Sequence, residues 1–165
     1  LTPAGNRLFF TATRQSGVEL FVTDGSTAGT QQFDLFAGNN GSNPDRLTAV
    51  GNRVVFAASD ATSGIEAWGS DGTTTGTQRL ADFQVGSTSG FFDGFATMGG
   101  FAWFSANVNG VGIELCRTDG TPGGTQLFAD LTPGTSGSRP NGFVAGSNRL
   151  WFRAYVSGLE VGLWT

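Results

Sequence analysis

The chain has 165 residues, enough to bury one sizeable core, and carries nine Arg and thirteen acids with no Lys or His, for a formal net charge of −4. An acidic chain with scattered Arg and no basic stripe is a poor partner for nucleic acid or an anionic membrane surface, since both are held by clustered cations. Neither is expected as a partner, and no membrane insertion is expected, because no apolar run approaches the length of a span.

With 13% charged residues against 27 Gly and 15 Phe, the composition suits an all-β protein with many tight turns. The first element follows the turn Gly5-Asn6: Arg7-Leu8-Phe9-Phe10, a strand over residues 8–12. Equivalent runs follow Gly51-Asn52, Gly99-Gly100 and Ser147-Asn148, predicting strands over 54–58, 103–106 and 150–154. Phe10, Phe56, Phe104 and Phe152 recur after 46, 48 and 48 residues. The runs do not alternate apolar with polar, as expected of strands buried on both faces.

A second strand runs over 18–23 and its copies, with Glu19, Glu66 and Glu114 between apolar neighbours. A third is predicted over 31–36, 78–83 and 126–131, with Asp34, Asp82 and Asp130 inside it. After a Gly/Ser/Asn-rich loop a fourth strand, over 46–50, 94–98 and 142–145, closes the unit.

Between the second and third strands lies the most regular stretch. Residues 17–31 read GVELFVTDGSTAGTQ, residues 64–78 GIEAWGSDGTTTGTQ and residues 112–126 GIELCRTDGTPGGTQ. Asp24, Asp71 and Asp119 stand 47 and 48 residues apart, the period of a repeat architecture. The expected fold is all-β: tandem repeats of about 47 residues, four antiparallel strands each, forming β-propeller-type blades. Residues 1–165 then make a single repeat domain, with units near 1–46, 47–94 and 95–142 and a partial fourth over 143–165. In that last unit Gly162 falls where Glu stands in the others, and Glu160 is displaced from register.

These residues resemble the bacterial repeat named for its ELWxxDGT signature. Residues 114–121 match it except at Cys116, residues 66–73 except at Ala67, and residues 19–26 have Phe21 for Trp and Ser26 for Thr. The flanking Asp130-Leu131-Thr132-Pro133-Gly134 and Leu47-Thr48-Ala49-Val50-Gly51 fit as well, so the resemblance covers essentially the whole chain. It implies tandem β repeats in a large secreted or surface-attached bacterial protein, hence an extracellular or cell-surface location. It transfers no catalytic residue.

The loops of Asp24, Asp71 and Asp119 are the candidate sites. An Asp there accepts hydrogen bonds from amides of its own turn, while Gly supplies positive φ. The alternative is a calcium site on Asp24, Asp71 and Asp119, disfavoured because each loop offers one carboxylate and hard cations want several. A buried Glu at 19, 66 or 114 needs partners; Arg7, Arg53 and Arg149 are available in their units, but Phe101 takes that place in the third. Hydrogen bonds from backbone amides are therefore expected to satisfy them.

Trp68, Trp103, Trp151 and Trp164 are replaced by other apolar residues in other units, which fits core packing better than a sugar platform. Cys116 is alone, so no intrachain disulfide forms, and it reads as a small buried filler. Asn40-Gly41-Ser42 is a lone glycosylation sequon. Without His or Lys, the Ser-His-Asp and Ser-Lys nucleophile systems are absent, no pair among the acids stands out, and no enzyme is expected.

The expected function is structural: an extracellular assembly protein built from β repeats, in a ring or filament. The alternative is a propeller lectin or adhesin with a glycan as partner. Incomplete units at both ends expose strand edges and apolar faces, so self-association, or further repeats of a longer chain, is expected.

Overall fold

In the computed structural model, which describes residues 1–38, 40–90, 93–156 and the backbone of 159–164, the repeated runs become the second strands of four antiparallel sheets. Sheet 1 holds β1 (Thr2–Ala4), β2 (Arg7–Arg14), β3 (Gly17–Thr23) and β4 (Gln31–Phe33). Sheet 2 holds β5 (Asp45–Val50), β6 (Arg53–Ser59), β7 (Ile65–Ser70) and β8 (Gln78–Arg79). Sheet 3 holds β9 (Asp93–Met98), β10 (Phe101–Val108), β11 (Gly112–Thr118) and β12 (Gln126–Ala129). Sheet 4 holds β13 (Asn141–Ala145), β14 (Leu150–Val156) and β15 (Leu159–Trp164).

Strands neighbour one another in chain order, so each sheet is a meander. The registers are equivalent: Phe10 faces Phe21, Phe56 faces Trp68, Phe104 faces Cys116, and Phe152 faces Trp164. Gly162 lies opposite Ala154, the place that Glu19, Glu66 and Glu114 hold opposite Ala12, Ala58 and Ala106.

Two details differ from the sequence reading. The strands over 46–50, 94–98 and 142–145 do not close a unit; they open the next sheet, pairing with β6, β10 and β14. The cause is local. Gly51, with φ of +57°, and Gly99-Gly100, at +63° and +81°, make two-residue hairpins into the following strand. The preceding strand is reached only across a long polar loop. The third strands are also shorter than predicted, so Asp34, Asp82 and Asp130 fall beyond their ends. There the backbone amides of Leu35, Phe83 and Leu131 turn to a glutamate instead of the ladder.

The sheets stack face to face with an apolar layer at each junction. Phe9, Leu20 and Val22 of sheet 1 meet Val54, Phe56 and Trp68 of sheet 2. Val55, Ala57 and Leu80 on the other side of sheet 2 meet Ala102, Phe104 and Cys116 of sheet 3. Trp103 and Leu115 meet Leu150 and Phe152 of sheet 4. The first strands adjoin in series, β1 by β5, β5 by β9 and β9 by β13.

Burial on both faces holds for the middle sheets: β6 and β10 are fully buried over five consecutive residues each. It fails for β2, where Phe9 alone is buried, and for β14, where buried residues alternate with half-buried and exposed ones. Those sheets have a neighbour on one side only. Each fully buried Phe side chain contributes about 1.5–3 kcal/mol over an exposed one, so the junctions carry most of the apolar stabilisation.

Candidate functional site

The repeated Asp-Gly stretch forms the same knot of hydrogen bonds in three sheets. In sheet 2, Asp71 Oδ1 accepts from the amide of Thr73 at 2.9 Å and from its hydroxyl at 2.7 Å. Thr73 Oγ1 accepts from the amide of Gly76 at 3.0 Å. The Thr77 hydroxyl donates to the Thr73 carbonyl at 2.7 Å and lies 2.7 Å from that of Ser70, which accepts from the amide of Gly72. Asp24 with Ser26, Gly29 and Thr30, and Asp119 with Thr121, Gly124 and Thr125, repeat the pattern.

Gly76 is required because any Cβ there would collide with the Asp71 carboxylate, and Gly29 and Gly124 meet the same constraint. Asp24 is held below the usual carboxylate range by the Ser26 amide and hydroxyl. For Asp71, burial pushes upward, but the Thr73 hydroxyl and amide, with Arg53 nearby, outweigh it and hold the carboxyl low.

The three glutamates form a second set of knots. Each is fully buried, and each accepts backbone amides from the loop that leaves its own sheet. Glu19 takes the amides of Ser42 at 2.9 Å and Leu35 at 3.4 Å, with the Ser42 hydroxyl. Glu66 takes those of Gly90 at 3.0 Å and Phe83 at 3.3 Å. Glu114 takes those of Ser138 at 2.7 Å and Leu131 at 3.0 Å, with the Ser138 hydroxyl. Burial pushes the Glu66 carboxyl up to about 7, against the two amides and helped by Asp82.

The same loop residues bind the following sheet. The carbonyl of Ser42 accepts from the Ser59 amide at 3.0 Å, that of Gly90 from Asn107 at 3.3 Å, and that of Ser138 from Tyr155 at 2.7 Å. Each glutamate therefore fixes a loop that clasps the next sheet.

The sequence reading found the turn aspartates and the amide-bound glutamates. It missed Ser42 and Ser138, although Ser-x-Pro at 42–44 and 138–140 was visible. Ser42, read there as part of a sequon, has its hydroxyl engaged with Glu19.

Arg7 and Arg53 do not pair with the glutamates. Arg7 Nη1 donates to the Asp71 carbonyl of the next sheet, and the Arg53 stem lies against Gly120 of the sheet after that. Arg53 also reaches the second oxygen of Asp71 at 3.4 Å. Trp68 and Trp103 are core residues at 8% and 7% exposure, and Trp151 is half-buried on the outer side of sheet 4. The Trp164 side chain lies outside the described residues. Cys116 is buried, and desolvation pushes its thiol up to about 12.

One cleft, of about 480 Å³, lies between sheets 3 and 4, lined among others by Met98, Trp103, Phe128 and Leu150. Beside it the Arg117 guanidinium stacks over Phe101 at 4.5 Å and Phe128 at 5.0 Å. Among the described residues no three His, Cys, Asp or Glu side chains gather as metal ligands; Asp24, Asp71 and Asp119 lie at the edges of three different sheets. No helix of the described residues is long and apolar enough to cross a membrane. No family model, curated protein or solved structure matches the chain.

Proposed function

We propose that this chain is a structural building block of a bacterial cell surface or secreted assembly, with its four sheets acting as propeller-type blades of an ELWxxDGT-like repeat. The observation that carries the reading is where the repeated polar groups are directed. The motif aspartates bond within their own turns, and the motif glutamates bond to loops that hold the next sheet. Residues repeated at a period of about 47 are thereby engaged in building and joining sheets. The alternative of a carbohydrate-binding module is favoured by the cleft beside Arg117, Phe101 and Phe128, where an aromatic face and a cation lie together.

Protease shaving of intact cells that produce the native polypeptide, with a glycan array on the purified chain, separates these readings. The structural role expects surface-released peptides of this sequence and no specific glycan. Peptides released only after lysis would refute it. Specific glycan binding lost in Phe128→Ala would replace it with the lectin.

A further inference from the structure

At the heads of the second strands stand Arg7, Arg53, Phe101 and Arg149. Within this chain, two arginines therefore hold neighbouring places only at the junction of sheets 1 and 2. That junction contains a polar cavity of about 660 Å³. Arg7 and Asn6 of sheet 1 line it, with Asn52, Arg53, Asp71 and Thr73 of sheet 2. The hairpin tips on its two sides meet, because a Cβ built on Gly5 would come within 3.1 Å of Asn52 Oδ1. Asn6, Asn52 and Thr73 are exposed, so the cavity is open to solvent.

The charges in its wall do not cancel. Asp71 Oδ1 accepts from the Thr73 amide and hydroxyl, and its Oδ2 meets Arg53 Nη2 at a long 3.4 Å. Arg7 Nη1 donates to the Asp71 carbonyl, a neutral acceptor. The exposed Asp24 of sheet 1 acts on Arg7 at longer range and is not part of the wall. Two guanidinium groups thus share one carboxylate, which leaves one positive charge facing the cavity. Arg53 Nη1 is buried, and no described residue accepts from it. A buried charged donor without an acceptor is costly, so an anion that supplies one is favoured.

We infer that this cavity binds a sugar acid, with the carboxylate between Arg7 and Arg53 and the hydroxyls toward Asn6, Asn52 and Thr73. The guanidinium fork matches a carboxylate in shape. One net positive charge suits a monoanion better than a phosphate dianion, and side-chain amides and a hydroxyl suit a polyol. The volume falls in the range of small-molecule sites and exceeds what a lone inorganic ion fills. The site is separate from the aromatic cleft between sheets 3 and 4. The inference goes beyond the structural role and does not depend on it.

Isothermal titration calorimetry of the purified 165-residue chain with galacturonate tests this, with galactose, acetate and inorganic phosphate for comparison. Galacturonate is expected to bind saturably, more tightly than the other three, and to weaken as added salt screens the charges. Arg7→Gln and Arg53→Gln should each weaken binding by roughly tenfold or more, the scale of one charge-assisted hydrogen bond. Asn52→Asp brings a like charge to an exposed place on the wall. It should also weaken binding while the urea midpoint stays unchanged, which keeps the test decisive if an arginine variant fails to fold. Trigalacturonate binding more tightly than galacturonate would place the acid on a polysaccharide, and weaker or equal binding would place it on a free sugar acid. Galacturonate that never saturates overturns the proposal. So does unchanged binding in Asn52→Asp, or phosphate binding more tightly than galacturonate. None of these outcomes bears on the surface location that the shaving experiment reads.

Discussion

Replacing Glu114 by Ala removes the acceptor for the amides of Leu131, at 3.0 Å, and Ser138, at 2.7 Å, and for the Ser138 hydroxyl. The side chain is fully buried, so the stranded donors do not meet bulk water. A buried donor without a partner costs about 1–3 kcal/mol, so the two amides together give about 2–6 kcal/mol. The vacated carboxyl volume adds a cavity, which an entering water would partly offset. We expect a loss of about 3–6 kcal/mol, a large share of the roughly 5–15 kcal/mol that holds a domain folded. Glu114→Gln keeps one carbonyl oxygen and turns an NH2 toward the remaining amide, so it should lose about 1–3 kcal/mol. Urea unfolding followed by tryptophan fluorescence measures both, and hydrogen exchange at Leu131 and Ser138 reports the donors directly. An Ala variant within about 1 kcal/mol of wild type, with both amides still protected, would refute the reasoning.

Asp71→Ala should destabilise by about 0.5–1.5 kcal/mol, because the exposed Thr73 amide exchanges its carboxylate acceptor for water, and calorimetry should give the same melting temperature with EDTA or calcium. A wild-type melting temperature that falls with EDTA and returns with calcium would instead establish the metal site. Glu66 in the fold titrates near 7, above its ordinary 4.5, so the protonated form is the one folding favours. Its contribution is fully present below about pH 4.5 and is lost as pH rises to about 7, by at most about 3 kcal/mol. Melting curves at pH 5 and pH 8 should diverge more for the wild type than for Glu66→Gln, and equal divergence would assign the pH response to other groups.

Much of this architecture was legible because its signals are local. Gly-Asn turns before Leu8 and Val54, unbroken apolar runs, and an Asp-Gly-Ser/Thr turn at regular spacing each specify a strand or hairpin over a few residues. Which sheet a strand joins is less local. The segment 46–50 lies between a long loop and a two-residue turn, and only the positive φ of Gly51 decides for the later partner. The short third strands were hidden for a different reason. β-propensity continues through Leu35 and Leu131, but a carboxylate sixteen or seventeen residues earlier captures their amides. The reach of Arg7 to the Asp71 turn crosses 64 residues and has no signature in a single copy. Comparing the copies shows it only as an Arg at the head of three second strands.

Apolar burial alone does not set the order of the sheets. Phe9, Val55 and Trp103 differ in size and shape at one place, so the layers between sheets are not copies of one jigsaw. What recurs is polar. A glutamate positions a loop whose next carbonyl takes an amide from the following sheet, through Ser42 to Ser59, Gly90 to Asn107 and Ser138 to Tyr155. Hydrogen bonds are directional and expensive to leave unmade when buried, so this clasp fixes spacing and handedness where interchangeable apolar residues do not. It also makes stability a matter between neighbours, as in other stacked repeats. Sheets 2 and 3 are clasped on both sides, whereas sheets 1 and 4 are each clasped on one.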